Sequence, residues 1–332
     1  MRAIEARELA RRFGDAVAVA GVSFDVDQGE IFGFLGPNGA GKSTTINMLC
    51  TMMRPTSGTA VINGFDVIAN AGAVRQSIGI IFQDPSLDDR LTGRENLRFH
   101  AMLYDIGRDV FAARSNELLA MVDLTDKAAD QVRTYSGGMK RRLEIARGLL
   151  HHPTVLFLDE PTIGLDPQTR RHIWQYLLDL RRQEAVTMFM TTHYMDEAEH
   201  CDRIAIIDHG RIVAIDTPPK LKALVGGDVI SVLTSDNERA AATLRTVSGI
   251  TTRSAPDGRV IVETLEGDRF IPILIDLLAS GEPPVAVQSI NLSRPTLEDV
   301  FIKLTGHAIR ASEADSTQPL RQMAQMWRGR GR

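Results

Sequence analysis

Residues Gly36-Pro37-Asn38-Gly39-Ala40-Gly41-Lys42-Ser43 satisfy G-x-x-x-x-G-K-[ST] at every fixed position, a spacing whose chemistry is phosphate binding. Glycines so placed let successive backbone N–H groups turn inward around phosphate oxygens, the lysine adds a mobile point charge for the β and γ phosphates, and the hydroxyl after it can ligate Mg²⁺. Lys42 and Ser43 are that lysine and that hydroxyl, and Thr44 continues the same turn. A second constellation closes the apolar run TVLFLDE, which ends in the adjacent carboxylates Asp159 and Glu160. A carboxylate at a strand end beside a phosphate loop holds Mg²⁺ through its water shell, and another can polarise an attacking water. Adjacent strand residues point to opposite faces, so the two cannot share one task unless the chain bends out of the strand there. Asp159 is therefore assigned to the metal and Glu160 to the water.

These groups need elements that hold them. Up to about residue 218 short β-rich runs alternate with amphipathic stretches, the pattern of βα units around a mostly parallel sheet, with sites where the strands end. FDVDQGEIFGFLG, SIGIIF, TVLFLDE, VTMFMTT and RIAIID read as buried strands. Apolar residues at helical spacing predict helices over 109–122 and 137–150. At Thr217-Pro218-Pro219 the prolines show neither pattern and mark a hinge or domain boundary. Beyond it VISVLT, NERAAATLRTVSG, ITTRSA, a turn at Pro256-Asp257-Gly258, RVIVET, RFIPILIDLLAS and VAVQSINLS follow the order β-α-β-β-α-β, which is ferredoxin-like. A last helix begins at Thr296, with Asp299 as its capping-box partner and Leu297, Val300, Phe301 and Leu304 on one packing face. The expected division is a nucleotide domain over 1–218, an accessory α+β domain over 219–306 and a disordered polar tail over 307–332.

Composition excludes several classes. Lys+Arg number 38 against 42 Asp+Glu, for a net charge of −4, and basic residues are not interleaved with aromatics, so nucleic acid is not expected as a partner. The longest apolar runs fall far short of the roughly 20 residues a membrane-spanning helix needs. The charged start MRAIEARELARRF lacks the apolar stretch of a secretory signal, which points to the cytoplasm. Cys50 and Cys201 follow no metal or redox spacing and read as reduced, buried thiols.

The run TYSGGMKRRLEIARGLLHHPTVLFLDEPTIGLDP brings the sequence to a resemblance. With the phosphate loop, Gln83, Ser136-Gly137-Gly138 opening a helix, the Asp159-Glu160 pair, Gly164-Leu165-Asp166 and a lone His193, residues 4 to 217 are similar to the ATP-binding-cassette (ABC) ATPases. The resemblance implies a P-loop NTPase fold that binds ATP and Mg²⁺. It implies that Ser136 and Gly138, at a helix N-terminus where N–H groups are free, grip the γ-phosphate held by the P-loop of a second subunit, so that ATP is sandwiched in a homodimer. It further implies that Gln83 approaches Mg²⁺ and the water, that His193 touches the γ-phosphate, that Asp166 bridges the dimer, and that Phe13 stacks on adenine. The loop after Gln83, DPSLDDRLTGRENLRF, would face a membrane partner. Tyr135 and Met139 flank Ser-Gly-Gly where the family more often has Leu and Gln, and Phe13 replaces a more usual Tyr. The anion contacts come from Ser136 and backbone N–H groups, so these departures leave binding in place.

YSGGMKRRLEIA, LTGRENL and the closing RPTLEDVFIKLTG resemble more narrowly the exporter ATPases of ABC-2 type, above all the daunorubicin/doxorubicin-resistance ATP-binding subunits. That implies two copies paired with a separate integral membrane permease, the chain lying peripherally at the cytoplasmic face and powering efflux of a drug-like, antibiotic or lipid-like compound. Two alternatives stand beside it: the ATPase of an importer, and a soluble ABC ATPase without a transport role, though the latter usually carries two cassettes or a coiled-coil insertion. Residues 219–306 show no chemical constellation and are expected to help pair two ATPase subunits or contact the permease.

Overall fold

The structure is a computed structural model of the 332-residue chain, describing residues 1–83, 86–255 and 258–307. The tail expected beyond His307 and the first two residues of the turn at 256–258 lie outside them, as do the two residues after Gln83. The described residues form two compact units, 1–215 and 216–307.

The first unit begins with a long hairpin, β1 (Arg2–Phe13) and β2 (Ala16–Asp27), which the sequence reading missed. The chain then enters β3 (Ile31–Leu35), α1 (Lys42–Leu49), β4 (Ser57–Ile62), β5 (Phe65–Asp66), α2 (Ala71–Ser77) and β6 (Ile78–Ile81). Next come α3 (Gly93–Leu103), α4 (Arg108–Met121), α5 (Gly137–Leu149), β7 (Val155–Asp159), α6 (Pro167–Glu184), β8 (Thr187–Thr192), α7 (Met195–Ala198), β9 (Arg203–Asp208) and β10 (Arg211–Asp216). A six-stranded sheet has the order β10-β9-β3-β8-β7-β6, and its pairs β9-β3, β3-β8, β8-β7 and β7-β6 are parallel. Strands β3, β7 and β8 are buried along their whole length, which is why they read as continuous apolar runs without alternation.

A second, four-stranded sheet of order β2-β1-β4-β5 is antiparallel throughout. The two sheets meet through aromatic rings: Phe24 of β2 lies 5.6 Å from Phe32 and Phe34 of β3 and 5.7 Å from Phe189 of β8. FDVDQGEIFGFLG is thus divided between the sheets, a strand of each joined by the turn at Gly29.

In the second unit α8 (Pro218–Ala223) is followed by β11 (Asp228–Thr234), α9 (Asn237–Leu244), β12 (Thr251–Ser254), β13 (Val260–Thr264), α10 (Gly267–Ala279), β14 (Val287–Ser293) and α11 (Leu297–Thr305). Its sheet order is β12-β13-β11-β14, with every pair antiparallel. That is the ferredoxin-like arrangement, with α9 and α10 packed on a core that includes Ile230, Val232, Leu244, Val262 and Leu274. Pro218 and Pro219 do not form an irregular hinge. They open α8, because a proline in the first helical turn lacks only an N–H that would be unpaired anyway. Helix α11 carries the expected capping box between Thr296 and Asp299 and buries Leu297, Val300 and Phe301.

Candidate functional site

Strand order brings the chemistry together. Because β8 lies between β3 and β7, the carboxyl ends of three parallel strands converge: the phosphate loop follows β3, Thr191 and Thr192 end β8 with His193 next, and Asp159 ends β7 with Glu160 next. Open α/β sheets form their sites at such carboxyl ends. The phosphate loop is clamped to its neighbours. A Cβ at Gly36 would lie 2.3 Å from the Ile207 carbonyl, and one at Gly41, whose φ is +106°, would lie 2.6 Å from that of Ala18. No side chain fits at either place, so the loop passes there only as backbone.

Lys42 is 4% exposed, and its Nζ donates to the carbonyls of Gly36 at 2.8 Å and Pro37 at 3.1 Å and pairs with Glu160 Oε1 at 3.1 Å. Burial holds the lysine below its ordinary value, against the pull of Glu160. Burial pushes the Glu160 carboxyl up, but His193, whose Nδ1 lies 3.3 Å from Oε1, and Lys42 outweigh it, so Glu160 lies below the usual carboxylate range. Glu160 is thus a carboxylate held between the Lys42 ammonium and the His193 ring.

Asp159 and Glu160 both reach the phosphate loop, which a regular strand would forbid. The chain bends: β7 stops at Asp159, and Glu160 adopts φ +45°, in the left-handed region. The bend re-aims the second carboxylate to the side the first already faces. Asp159 Oδ1 accepts from Ser43 Oγ at 3.2 Å and from Thr191 Oγ1 at 2.5 Å, while Thr191 takes the Glu160 N–H on both its carbonyl and its hydroxyl. A non-glycine residue in this conformation costs roughly 1–2 kcal/mol, so neighbouring contacts must hold it. Arg141 on α5 supplies several. Its buried guanidinium donates to the carbonyl of Pro161 at 2.5 Å, to those of Asp159 and Glu160 at 3.4 Å and to that of Phe82 just before Gln83, and it pairs with Glu144. Neither Thr191 nor Arg141 was singled out from the sequence. The available signal was a charged residue within the apolar face of a predicted helix, and it names no partner.

A cavity of about 290 Å³ collects Asn38, Gly39, Gly41, Lys42, Ser43, Thr44, Gln83 and Glu160 with Ala18. Other candidates lie elsewhere. Ser136 caps α5, its hydroxyl accepting the Met139 N–H at 3.2 Å, and with Gly138 it lines a different cavity of about 550 Å³ beside Thr169 and Tyr176. Gly137 lies against Leu165. Asp166 caps α6, accepting from the N–H groups of Gln168 and Thr169 and from the Thr169 hydroxyl, which holds its carboxyl low. Phe13 ends β1 half exposed under the Arg11 guanidinium, 4.7 Å from the ring centre. Cys50 and Cys201 are free and buried, and burial raises both thiols. Among the described residues no helix is long and apolar enough to cross a membrane.

A buried lysine in a backbone cradle, a strand-end carboxylate on the following hydroxyl and a second carboxylate beside a histidine define a nucleotide-hydrolysing cassette. The ABC transporter family model matches residues 19–163. A daunorubicin resistance ATP-binding protein, DrrA3 of Streptomyces coeruleorubidus, is 40% identical over 92% of this chain and 96% of its own length. The linearmycin resistance ATP-binding protein LnrL of Bacillus subtilis is 36% identical over 92% and 99%. The dimeric ATP-binding cassette MJ0796 bound to ADP and Pi superposes with a TM-score of 0.59 at 26% identity, covering 64% of this chain and 98% of that one. The chain belongs to the ABC transporter family. Within it, this is the ATP-binding, ATP-hydrolysing subunit of an exporter.

Proposed function

We propose that the chain works as a homodimer at the cytoplasmic face of the membrane, driving a separate ABC-2 type permease that expels a drug-like, antibiotic or lipid-like compound. The observation that carries this reading is the division of the anion site. Lys42, Glu160 and His193 converge at the phosphate loop, whereas Ser136 and Gly138 line a different cavity of the same chain. A helix N-terminus built to meet a phosphate then needs a second copy to bring one, and the dimeric cassette bound to ADP and Pi supports that arrangement.

In this reading residues 36–44 hold the phosphates of ATP, Phe13 stacks on adenine, Asp166 bridges the two copies, Glu160 polarises the attacking water and His193 contacts the γ-phosphate. Ser43, Asp159 and Gln83 fit Mg²⁺: a hydroxyl, a carboxylate and an amide carbonyl are all hard oxygen donors, and the first two lie within 3.2 Å of each other. Bound there, the ion would neutralise phosphate charge. Residues 1–218 act as the nucleotide domain, and residues 219–306 help pair the subunits or contact the permease. Transport follows because ATP binds the closed dimer better than the open one. The names of the relatives support a drug-like cargo, which the permease selects.

Reconstitution of the chain with an ABC-2 permease in lipid vesicles tests the whole. Amphipathic drugs of the anthracycline class are expected to stimulate ATPase activity and to be moved across the membrane. A chain that hydrolyses ATP as a monomer, indifferent to any permease, would refute the proposal. Removal of residues after Leu221 is expected to weaken ATP-driven dimerisation or transport, and unchanged values would dismiss the accessory role.

A further inference from the structure

The short helix after His193 carries a buried carboxylate that the catalytic reading leaves unused. Glu197, on α7, is 1% exposed. Its Oε1 accepts from the hydroxyl of Thr162, two residues past Glu160, and its Oε2 accepts from that of Thr192, the residue before His193, at 2.6 Å. Both threonines are buried. We infer that Glu197 is a positioning residue for hydrolysis: one carboxylate spans the two segments that carry Glu160 and His193 and sets their separation. The inference rests on the reading of Glu160 and His193 as the groups facing the γ-phosphate and its water.

Chemistry favours a carboxylate in this place. Both oxygens of the anion are acceptors only, so each threonine hydroxyl must point its proton inward and keeps its lone pairs free. Thr192 uses one of them to accept the Tyr194 N–H at 2.9 Å, which closes the turn that carries His193. On the other side, the Thr162 bond holds the chain just beyond the left-handed residue Glu160, opposite the grip of Arg141 on the Pro161 carbonyl. A third element joins. Arg170, on the helix that Asp166 caps, places Nε 3.8 Å from Glu197 Oε1, and its guanidinium lies 4.0 Å above the Tyr194 ring, itself 4.1 Å from the His193 ring. A glutamine would fill the same space at a smaller desolvation cost. It would also turn one acceptor into a donor and remove the charge facing Arg170. Glu197 thereby connects the turn at His193 to the bend at Glu160 and the start of α6, which lie more than twenty residues earlier in the chain.

The test measures ATPase turnover and binding of a fluorescent ATP analogue on the full-length chain, with turnover normalised to the fraction that binds nucleotide. Glu197→Gln is expected to lower kcat by roughly tenfold to a hundredfold, the usual effect of misplacing reacting groups by an ångström or less, with nucleotide Kd and KM within about twofold. Thr162→Val and Thr192→Val should each lower kcat. Combining either with Glu197→Gln should add little, because all act through one carboxylate. Thr162→Ser, which keeps the hydroxyl, should restore turnover. If Glu197→Gln does not fold, the two valine variants and the serine rescue carry the test. Turnover within twofold of wild type in Glu197→Gln, or losses that add independently across the three positions, would overturn the inference. Glu160→Gln is measured in parallel: near-normal turnover there would sink the catalytic reading itself, whereas a dead Glu160→Gln beside an active Glu197→Gln would sink only the positioning role.

Discussion

Replacing Glu160 by glutamine probes the ion pair at the centre of the site. Lys42 Nζ and Glu160 Oε1 are 3.1 Å apart with side chains only 4% and 7% exposed. At an effective dielectric of about 20 their attraction amounts to roughly 5 kcal/mol. Much of this is offset in the variant, because Lys42 keeps the carbonyls of Gly36 and Pro37 and the pull of Asp159, and glutamine retains a neutral hydrogen bond. The net loss is that of one charge-assisted hydrogen bond, about 1.5–3 kcal/mol. In the wild type the carboxylate competes with incoming phosphate for Lys42, so removing its charge should tighten ATP binding by a similar amount, about ten- to a hundredfold in Kd. Turnover should move the opposite way, falling by roughly 10²–10⁴ as general-base assistance is lost. Binding of a fluorescent ATP analogue and single-turnover hydrolysis measure the two effects separately, and sizing chromatography should show an ATP-locked dimer. An unchanged Kd would refute the competition for Lys42, and turnover within tenfold of wild type would refute Glu160 as the key carboxylate.

Other outcomes follow from the same geometry. Lys42→Ala removes the mobile charge of the cradle and leaves Glu160 without its buried cation, so ATP affinity should fall by at least tenfold, and equal binding by calorimetry would count against the phosphate-loop assignment. The Glu160 carboxyl is held below its ordinary 4.5, so its contribution to stability is complete above about pH 4.5 and is lost as pH falls through the lower folded-state value. Urea unfolding should therefore show a shallower loss of stability below pH 4.5 in Glu160→Gln than in wild type, and parallel curves would show that the pair contributes nothing. Arg141→Met removes the nearer cation of the buried Glu144 carboxylate, leaving it the Ser86 N–H and Arg147 at 3.9 Å, and frees the bend at Glu160, with an expected destabilisation of about 3 kcal/mol, the low end for a broken buried pair. A midpoint shift worth less than about 1 kcal/mol in the same urea assay would contradict that account.

Short-range spacing made much of this protein legible. The phosphate cradle depends on eight consecutive residues whose backbone makes the site, so Gly36 to Ser43 could be assigned from order alone, as could the capping box at Thr296 and the β-α-β-β-α-β succession after 228. The hairpin over residues 2–27 was not legible, because a twelve-residue strand interrupted by irregular register carries charged residues such as Glu8 and Arg11 that blur its alternation. The prolines at 218 and 219 mark a hinge or domain boundary in the sequence; they begin a helix just past the point where the two units divide, since the first turn of a helix and the start of a loop make the same demand on a missing N–H.

What the sequence by itself determined is the inventory of reactive groups and the elements that carry them. The tertiary structure decided which of those groups meet. Strand order placed β8 between β3 and β7, and so brought His193 against Glu160, whose Oε1 also meets Lys42 of the phosphate loop. The left-handed backbone at Glu160 turned two adjacent carboxylates to one side, against the alternation a strand imposes, and it persists because Thr191, Arg141 and, through Thr162, Glu197 hold it from other segments of the chain. Pairings of this kind depend on distances between parts of the fold rather than along the chain, and one local pattern is compatible with many of them. Ser136 and Lys42 show the other side of this: they line different cavities of one chain, a separation set by the fold and not by the spacing of either motif.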